Sequence, residues 1–310
     1  MQYIFLKQFK QLFLNIAIWF SYIKQSFKKP SVLVLELTSL CNAKCLMCNK
    51  ENSSRTKEHM DYSLFKHIIN DAQISKINKI QLSFYGESLL YPQLIDAILY
   101  IRKKIPSAFI TLNTNGMLLT PKFAQEILKS KIDSIAISID GNNKKEYEKI
   151  RINLKWDILQ RNIRNLREII DKNNYSTKIG IMGLNIKDII IDKKKYINRW
   201  GSYADTIFIR NENQLNDEKK EFLFHKLMPC NKIFSQIVIM TSGDVTMCSY
   251  DWEGEEVYGN IKESKLLELW KTPTLQKKRY LHIVGMKKQL DLCRNCSYRV
   301  DDLFKRSNLL

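Results

Sequence analysis

The stretch Val32-Leu-Val-Leu-Glu-Leu-Thr-Ser-Leu-Cys-Asn-Ala-Lys-Cys-Leu-Met-Cys48 decides how the rest of the chain is read. An apolar run with the residue types of a buried strand passes into a polar loop carrying Cys41, Cys45 and Cys48 at the spacing C-x3-C-x2-C. Three thiols clustered on such a loop are poor core material, and as thiolates they suit a metal centre. They can hold three irons of a [4Fe–4S] cube and leave the fourth open to another molecule. Buried structural cysteines and part of a zinc site are the competing readings.

Outward from this loop, short apolar runs alternate with stretches of helical period. Strands are expected at Val32–Leu37, Ile80–Phe84, Phe109–Leu112, Ser134–Ile139, Lys178–Met182 and Thr206–Ile209. Helices are expected at about 61–74, 92–104, 121–130, 143–171 with a break, and 187–200, with Pro92 and Pro121 in first turns. This alternation predicts β-α units on a parallel sheet. After Arg210 it stops, and 211–228 reads as a polar linker. Beyond it, Ile233–Met240 and Val245–Ser249 flank Thr-Ser-Gly-Asp, a hairpin signal with Gly243 at the tip, and helices follow at Ser264–Trp270 and 273–283.

Parallel barrels place their working residues where strands end. Here the strand ends read Phe84-Tyr-Gly-Glu-Ser88, Asn113-Thr-Asn-Gly116, Ser138-Ile-Asp-Gly141 and Gly180-Ile-Met-Gly183. Gly86 would let a ligand approach the backbone closely. Asn-Gly and Asp-Gly are also ordinary turn dipeptides. Arg151 follows Gly141 on a helical stretch, and its planar guanidinium matches a carboxylate.

The seven cysteines fall into that group of three and a second group, Cys230, Cys248, Cys293 and Cys296, spaced C-x17-C-x44-C-x2-C. Four thiolates would fill every iron of a cube, and a structural zinc is the alternative. There is no ladder of disulfide spacings, and both groups want thiolates, so a reducing, cytoplasmic setting is expected. The formal charge of +18 suits an anionic partner, but the lysines are scattered and no nucleic-acid-binding signature accompanies them, so nucleic acid is not expected. Residues 1–30 combine apolar and aromatic side chains with flanking lysines. They read either as a helix lying peripherally on the inner membrane surface or as an ordinary docked helix.

The cysteine loop and strand-end motifs together closely resemble the radical S-adenosylmethionine (SAM) superfamily. The hairpin, helix and terminal C-x2-C resemble its SPASM domain in the shortened "twitch" form, so the resemblance covers roughly residues 31–300. It implies an α/β fold: a partial (β/α)6 TIM-like barrel over 31–210 and a small α+β twitch/SPASM-like domain over 229–300, with a tail at 301–310. It implies two [4Fe–4S] clusters, one on Cys41, Cys45 and Cys48 that binds SAM and an auxiliary one on Cys230, Cys248, Cys293 and Cys296. Gly86 and Glu87 would hold the SAM amino group and Ser138 would touch SAM. Asn113, Asn115 and Asp140 would lie close by, and Arg151 would meet the SAM carboxylate. Met47 stands where the family usually has an aromatic residue, and Ser88 where it usually has proline.

The activity so implied is reductive cleavage of SAM to a 5′-deoxyadenosyl radical that takes hydrogen from a small polar substrate. That substrate would be a sugar, a cyclitol, or a nucleotide- or lipid-linked glycan. The auxiliary cluster suggests a two-electron oxidation, with flavodoxin or ferredoxin as reductant. Asp251, in Cys248-Ser-Tyr-Asp251, is the candidate for substrate contact or proton handling, and Tyr85, Arg210 and Trp252 are candidates for lining the cavity. A peptide-modifying maturase and a non-catalytic zinc or iron–sulfur protein are the alternative functions.

Overall fold

A computed structural model describes residues 28–186, 189–211, 229–294 and 296, together with Phe20 and Lys24. The remainder of the expected N-terminal helix, residues 212–228 of the linker and the tail lie outside the described residues. Six strands before residue 212 pair in parallel in one sheet: β1 (Val32–Leu35), β2 (Lys79–Gln81), β3 (Phe109–Thr114), β4 (Ser134–Ser138), β5 (Lys178–Asn185) and β6 (Thr206–Asn211). They are β-branched and leucine-rich because both faces of such a sheet are covered. Leu33, Leu35, Ile80, Ile110, Leu112, Ile135, Ile137, Ile179 and Ile181 are all buried.

Helices α1 (Tyr62–Ile74), α2 (Leu94–Lys104), α3 (Pro121–Lys129), α4 (Lys144–Ile150), α5 (Trp156–Asn173) and α6 (Lys193–Trp200) alternate with these strands. Their ends follow local chemistry. Asp61 caps α1 by accepting from the Ser63 and Leu64 N–H groups, and Thr120 caps α3 with Pro121 in its first turn. Pro92 does not open a helix as expected, because α2 begins only at Leu94 after Gln93. The helix expected from 187 begins instead at Lys193, behind the cap that Asp192 gives to the Lys195 N–H.

The C-terminal region contains α7 (Asn231–Ser235), β7 (Gln236–Ile239), β8 (Asp244–Thr246), β9 (Val257–Asn260), α8 (Leu266–Trp270), α9 (Pro273–Ile283) and α10 (Asp291–Arg294). The hairpin is there, but the first residues expected in its strand form α7. The hairpin also extends the main sheet: β7 pairs parallel with β1, Val32 opposite Gln236 and Leu35 opposite Ile239. The nine strands therefore run in the order β9-β8-β7-β1-β2-β3-β4-β5-β6. Hairpin formation between β7 and β8 is local, whereas the β7–β1 pairing joins residues about two hundred positions apart and leaves no mark in the local pattern. A further tie runs from the Leu266 N–H to Asp71 Oδ2 at 2.6 Å, fixing α8 to α1. Among the described residues no helix is long and apolar enough to cross a membrane.

Candidate active site

The loop leaving β1 is fixed by backbone bonds to the segment that follows α4, in a small two-stranded sheet apart from the main one. Lys44–Cys45 forms a short antiparallel ladder with Arg151–Ile152, Cys45 opposite Arg151. The Leu46 N–H donates to the Ile150 carbonyl at 2.9 Å. This pairing brings the Arg151 guanidinium to the loop, with Nη1 3.8 Å from Cys45 Sγ. Its Nε and Nη2 meet Asp140 Oδ2 at 2.8 and 2.7 Å. Buried Asp140 also accepts at Oδ1 from the Leu184 N–H at 2.8 Å. Arg151, Asp140, Cys45 and β5 are thus one connected unit, and the guanidinium expected on a SAM carboxylate is engaged chiefly by Asp140. Burial pushes the Cys45 thiol up to about 11 against the pull of Arg151, and burial also raises Cys41. Thiols of this kind lose their protons when a metal takes the sulfur.

Buried Glu87 organises the neighbouring strand ends. Its Oε1 accepts from Thr114 Oγ1 at 2.7 Å and the Leu89 N–H at 3.2 Å, and its Oε2 from the Asn115 N–H at 2.7 Å. Asn115 Nδ2 donates to Asn42 Oδ1 at 2.7 Å, which seats the end of β3 beside Cys41. The close approach expected at Gly86 is made by this chain, not left for a ligand. A Cβ there would stand 2.0 Å from the Thr38 carbonyl oxygen and 2.6 Å from that of Leu40. Asn113 and Ser138 are half-buried, and Asn113 stands opposite Ala136, two residues before Ser138. The period of two puts both on one face of the sheet.

Three residues that the sequence did not single out complete this region. Lys50 is only 7% exposed and its Nζ has no hydrogen-bond partner among the described residues. Burial pulls its ammonium below the usual range. It shares a small cavity with Ser39, Ser53, Arg55, Lys57 and Tyr85. Glu36, fully buried at the end of β1, pairs with both terminal nitrogens of Arg55 and accepts from the Thr241 N–H at 3.1 Å. Arg55 Nη1 donates onward to the Trp252 carbonyl at 2.7 Å, and Trp252 stacks on Tyr85 with centroids 6.4 Å apart. The segment after Cys248 is thereby laid over the segment after Cys48. Arg55→Leu leaves the Glu36 carboxylate buried without its partner, so the expected loss is about 3–5 kcal/mol of stability. Chemical unfolding checks it, and Glu36→Leu made together with Arg55→Leu recovers part of the loss if the pairing is its source.

Asp251 has a different place from the one expected. It is 1% exposed, and it accepts from Thr246 Oγ1, from the Glu255 N–H at 2.9 Å and from the Glu256 N–H at 3.0 Å. Those bonds occupy both oxygens, so it orders the loop after Cys248 and offers no free carboxylate. The unengaged oxygen lies two residues on: Glu253 Oε2 accepts from Ser53 Oγ at 3.0 Å, while its buried Oε1 has no partner among the described residues.

The second group of cysteines converges. Cys230 caps α7, Cys248 follows β8, and Cys293 and Cys296 come from α10 and the turn after it. All four line one cavity of about 40 Å³ with Met247 and His282. Burial raises Cys230 and Cys248 and pushes Cys293 up to about 12. Among the described residues no three such side chains converge on a single-ion point; the sulfurs surround a space. His282 on α9 is a neighbour that the sequence did not mark. Its Nε2 lies 3.4 Å from Cys293 Sγ, and burial, with Lys287 nearby, pulls the imidazole down to about 4. Arg279 holds α9 in place by donating to the Ile233 and Trp270 carbonyls at 3.0 and 2.8 Å. Two groups of free thiols, one beside the buried Lys50 ammonium and one around a cavity, fit iron–sulfur clusters.

Comparison with known proteins identifies the family and the fold. Residues 35–193 match the model of the radical SAM superfamily, and residues 230–297 match SPASM, an iron–sulfur cluster-binding domain. The S-adenosyl-L-methionine-dependent 2-deoxy-scyllo-inosamine dehydrogenase of Niallia circulans is 24% identical over 271 residues, which cover 86% of this chain and 92% of that protein. Other curated relatives match over shorter stretches, the alignment covering 30% of one and 49% of another. Among solved structures, BtrN in complex with AdoMet and 2-DOIA shares the fold with a TM-score of 0.61 at 21% identity, over 87% of this chain and 94% of that one. Streptococcus suis SuiB bound to precursor peptide SuiA does so with a TM-score of 0.61 at 16% identity, over 89% and 74%. The cysteine loop, the strand ends that hold it and these matched spans lead to one conclusion: the chain belongs to the radical SAM superfamily, whose cofactors are [4Fe–4S] clusters and SAM.

Proposed function

We propose that this chain is a radical SAM oxidoreductase that removes two electrons from a small hydroxylated substrate: a sugar, a cyclitol, or a nucleotide- or lipid-linked glycan. When bound, SAM and its cluster supply one-electron abstraction of a hydrogen atom, and a cluster on the second cysteine group supplies a place for the other electron. Cys41, Cys45 and Cys48 hold the first cluster, with Asp140 and Arg151 pinning Cys45. Glu87 and Asn115 keep the β3 end against the loop, and Asn113 and Ser138 face SAM. Lys50, Arg55 and Tyr85 would border the substrate, with the desolvated Lys50 Nζ holding its hydroxyl and the unbonded Glu253 Oε1, which becomes reachable only as substrate enters, receiving the proton. Cys230, Cys248, Cys293 and Cys296 hold the auxiliary cluster.

The observation that carries the oxidation is the complete set of four thiols at one cavity. A cluster with every iron ligated cannot readily bind substrate, but it can exchange an electron. The dehydrogenase that aligns along most of this chain supports the same reading. Anaerobic reconstitution is expected to give about eight irons per chain, as two cubes require. With a flavodoxin or ferredoxin as reductant, incubation with cyclitols, nucleotide sugars and lipid-linked glycans should release 5′-deoxyadenosine in step with a product two hydrogens lighter. Zinc in place of iron and no SAM cleavage would sink the proposal; a cross-linked peptide as the sole product would replace it with a maturase. Lys50→Met is expected to lower product turnover about tenfold or more, the worth of a hydrogen bond to a charged group. Its rate of SAM cleavage without substrate should stay close to that of the unchanged protein.

A further inference from the structure

His282 carries an inference that the proposed oxidation does not require. It is buried on α9 with its ring edge-on to Phe234, centroids 6.5 Å apart. The main-chain N–H of Cys230 donates to its Nδ1 at 3.3 Å, and its Nε2 lies 3.4 Å from Cys293 Sγ. A backbone N–H can only donate, so Nδ1 must present a lone pair, and the ring's one proton is therefore on Nε2. A thiolate sulfur can only accept. The contact with Cys293 is thus an Nε2–H···Sγ bond, and one neutral imidazole spans two of the four cysteines. Protonating Nδ1 would destroy the bond from Cys230, so an imidazolium does not fit this arrangement.

We infer that His282 is a positioning residue that holds up the reduction potential of the auxiliary cluster by donating Nε2–H to Cys293 Sγ. This rests on the assignment of Cys230, Cys248, Cys293 and Cys296 as that cluster's ligands. Reduction adds an electron to the cluster and makes its sulfurs more negative, while no bond breaks and no proton moves at His282. A donor aimed at a cluster sulfur stabilises the reduced form more than the oxidised form, which raises the potential. His282 is buried, so the bond does not depend on water. The effect would make the cluster a better acceptor for the electron that the substrate gives up.

The test uses the full chain with Cys41, Cys45 and Cys48 changed to Ala, so that only the auxiliary cluster is loaded, and follows its reduction by EPR in a redox titration. His282→Phe keeps a flat ring and removes the donor; His282→Gln keeps an N–H. At a fixed ambient potential the Phe variant is expected to show a reduced-to-oxidised ratio about tenfold lower, equivalent to about 59 mV for a one-electron couple. The Gln variant should recover most of that difference. A Phe variant that keeps about four irons and an unshifted potential overturns the role of His282 alone. No iron in the parent with His282 intact sinks the auxiliary cluster and this role together. If the Phe variant loses its iron, the parent labelled with [15N]histidine decides: a weak nitrogen coupling across the N–H···S bond supports the role. No coupling, or one as strong as that of imidazole bound directly to iron, overturns it.

Discussion

Changing Cys41, Cys45 and Cys48 together to alanine is expected to abolish SAM cleavage and to remove about half of the bound iron, leaving about four irons per chain. The reason is a division of labour between the thiols. These three lie on one loop between β1 and α1, while the other four surround a cavity bordered by α7, α9 and α10. The two groups share no residue, so losing one should leave the other able to assemble. The fold should survive, because the loop's anchors are backbone bonds such as Leu46 to Ile150 and do not need the sulfurs. Iron analysis, EPR of the reduced protein and chromatography for 5′-deoxyadenosine check the three parts separately. Residual SAM cleavage in the triple variant would remove these cysteines from the centre of the chemistry.

Gly86→Ala is expected to lower SAM cleavage by about 100-fold, the scale reached when reacting groups are misplaced by about an ångström. The added methyl would meet the Thr38 and Leu40 carbonyl oxygens at 2.0 and 2.6 Å. Both are backbone atoms, so no rotamer change relieves the contact. The segment bearing Cys41 must move away from the β2 end, and the 2.8 Å bond from the Glu87 N–H to the Leu40 carbonyl would be strained or lost with it. A stability loss of about 1–3 kcal/mol accompanies such overpacking. The cleavage rate, iron content and unfolding midpoint should therefore all fall, while four irons of the auxiliary group remain. A variant that cleaves SAM at the unaltered rate would show that the loop position does not govern the chemistry.

Adjacency in the chain governs what could be read from the sequence. The cysteine loop was legible because its three thiols lie within one short stretch, and the strands of the parallel sheet because each is a short β-branched or leucine-rich run. Asp140 and Arg151 stand out through the family resemblance, yet their mutual pairing and the reach to Cys45 depend on the separate short ladder between Lys44–Cys45 and Arg151–Ile152. Asp251 misled because a carboxylate beside a cysteine looks available until its acceptors are counted in space. Lys50 was invisible for the opposite reason: one lysine among many looks solvated, and only its place over the Tyr85 ring, in the cavity with Ser39 and Arg55, reveals its burial. Glu36 resembled an outward residue in an apolar strand, since its partners Arg55 and Thr241 come from other elements. His282 is a single histidine in a helix of mixed character, and only the fold brings it to Cys230 and Cys293.

The parallel pairing of β7 with β1 also fixes where the two cysteine segments leave the sheet. Cys41 lies beyond the C-terminal end of β1, whereas Cys230 precedes β7 through α7 and Cys248 follows the antiparallel β8, so both emerge near the opposite end. The ladder between β1 and β7 therefore separates the points at which these segments leave the sheet. Its four paired positions, Val32 to Leu35 against Gln236 to Ile239, span roughly 10–13 Å at the rise of a strand. Held by backbone bonds inside a buried sheet, that length cannot stretch or slip without turning the core-facing side chains outward. The same hydrogen bonds that attach the C-terminal region to β1 thus hold the points where the two cysteine segments leave the sheet at a fixed offset along the strands.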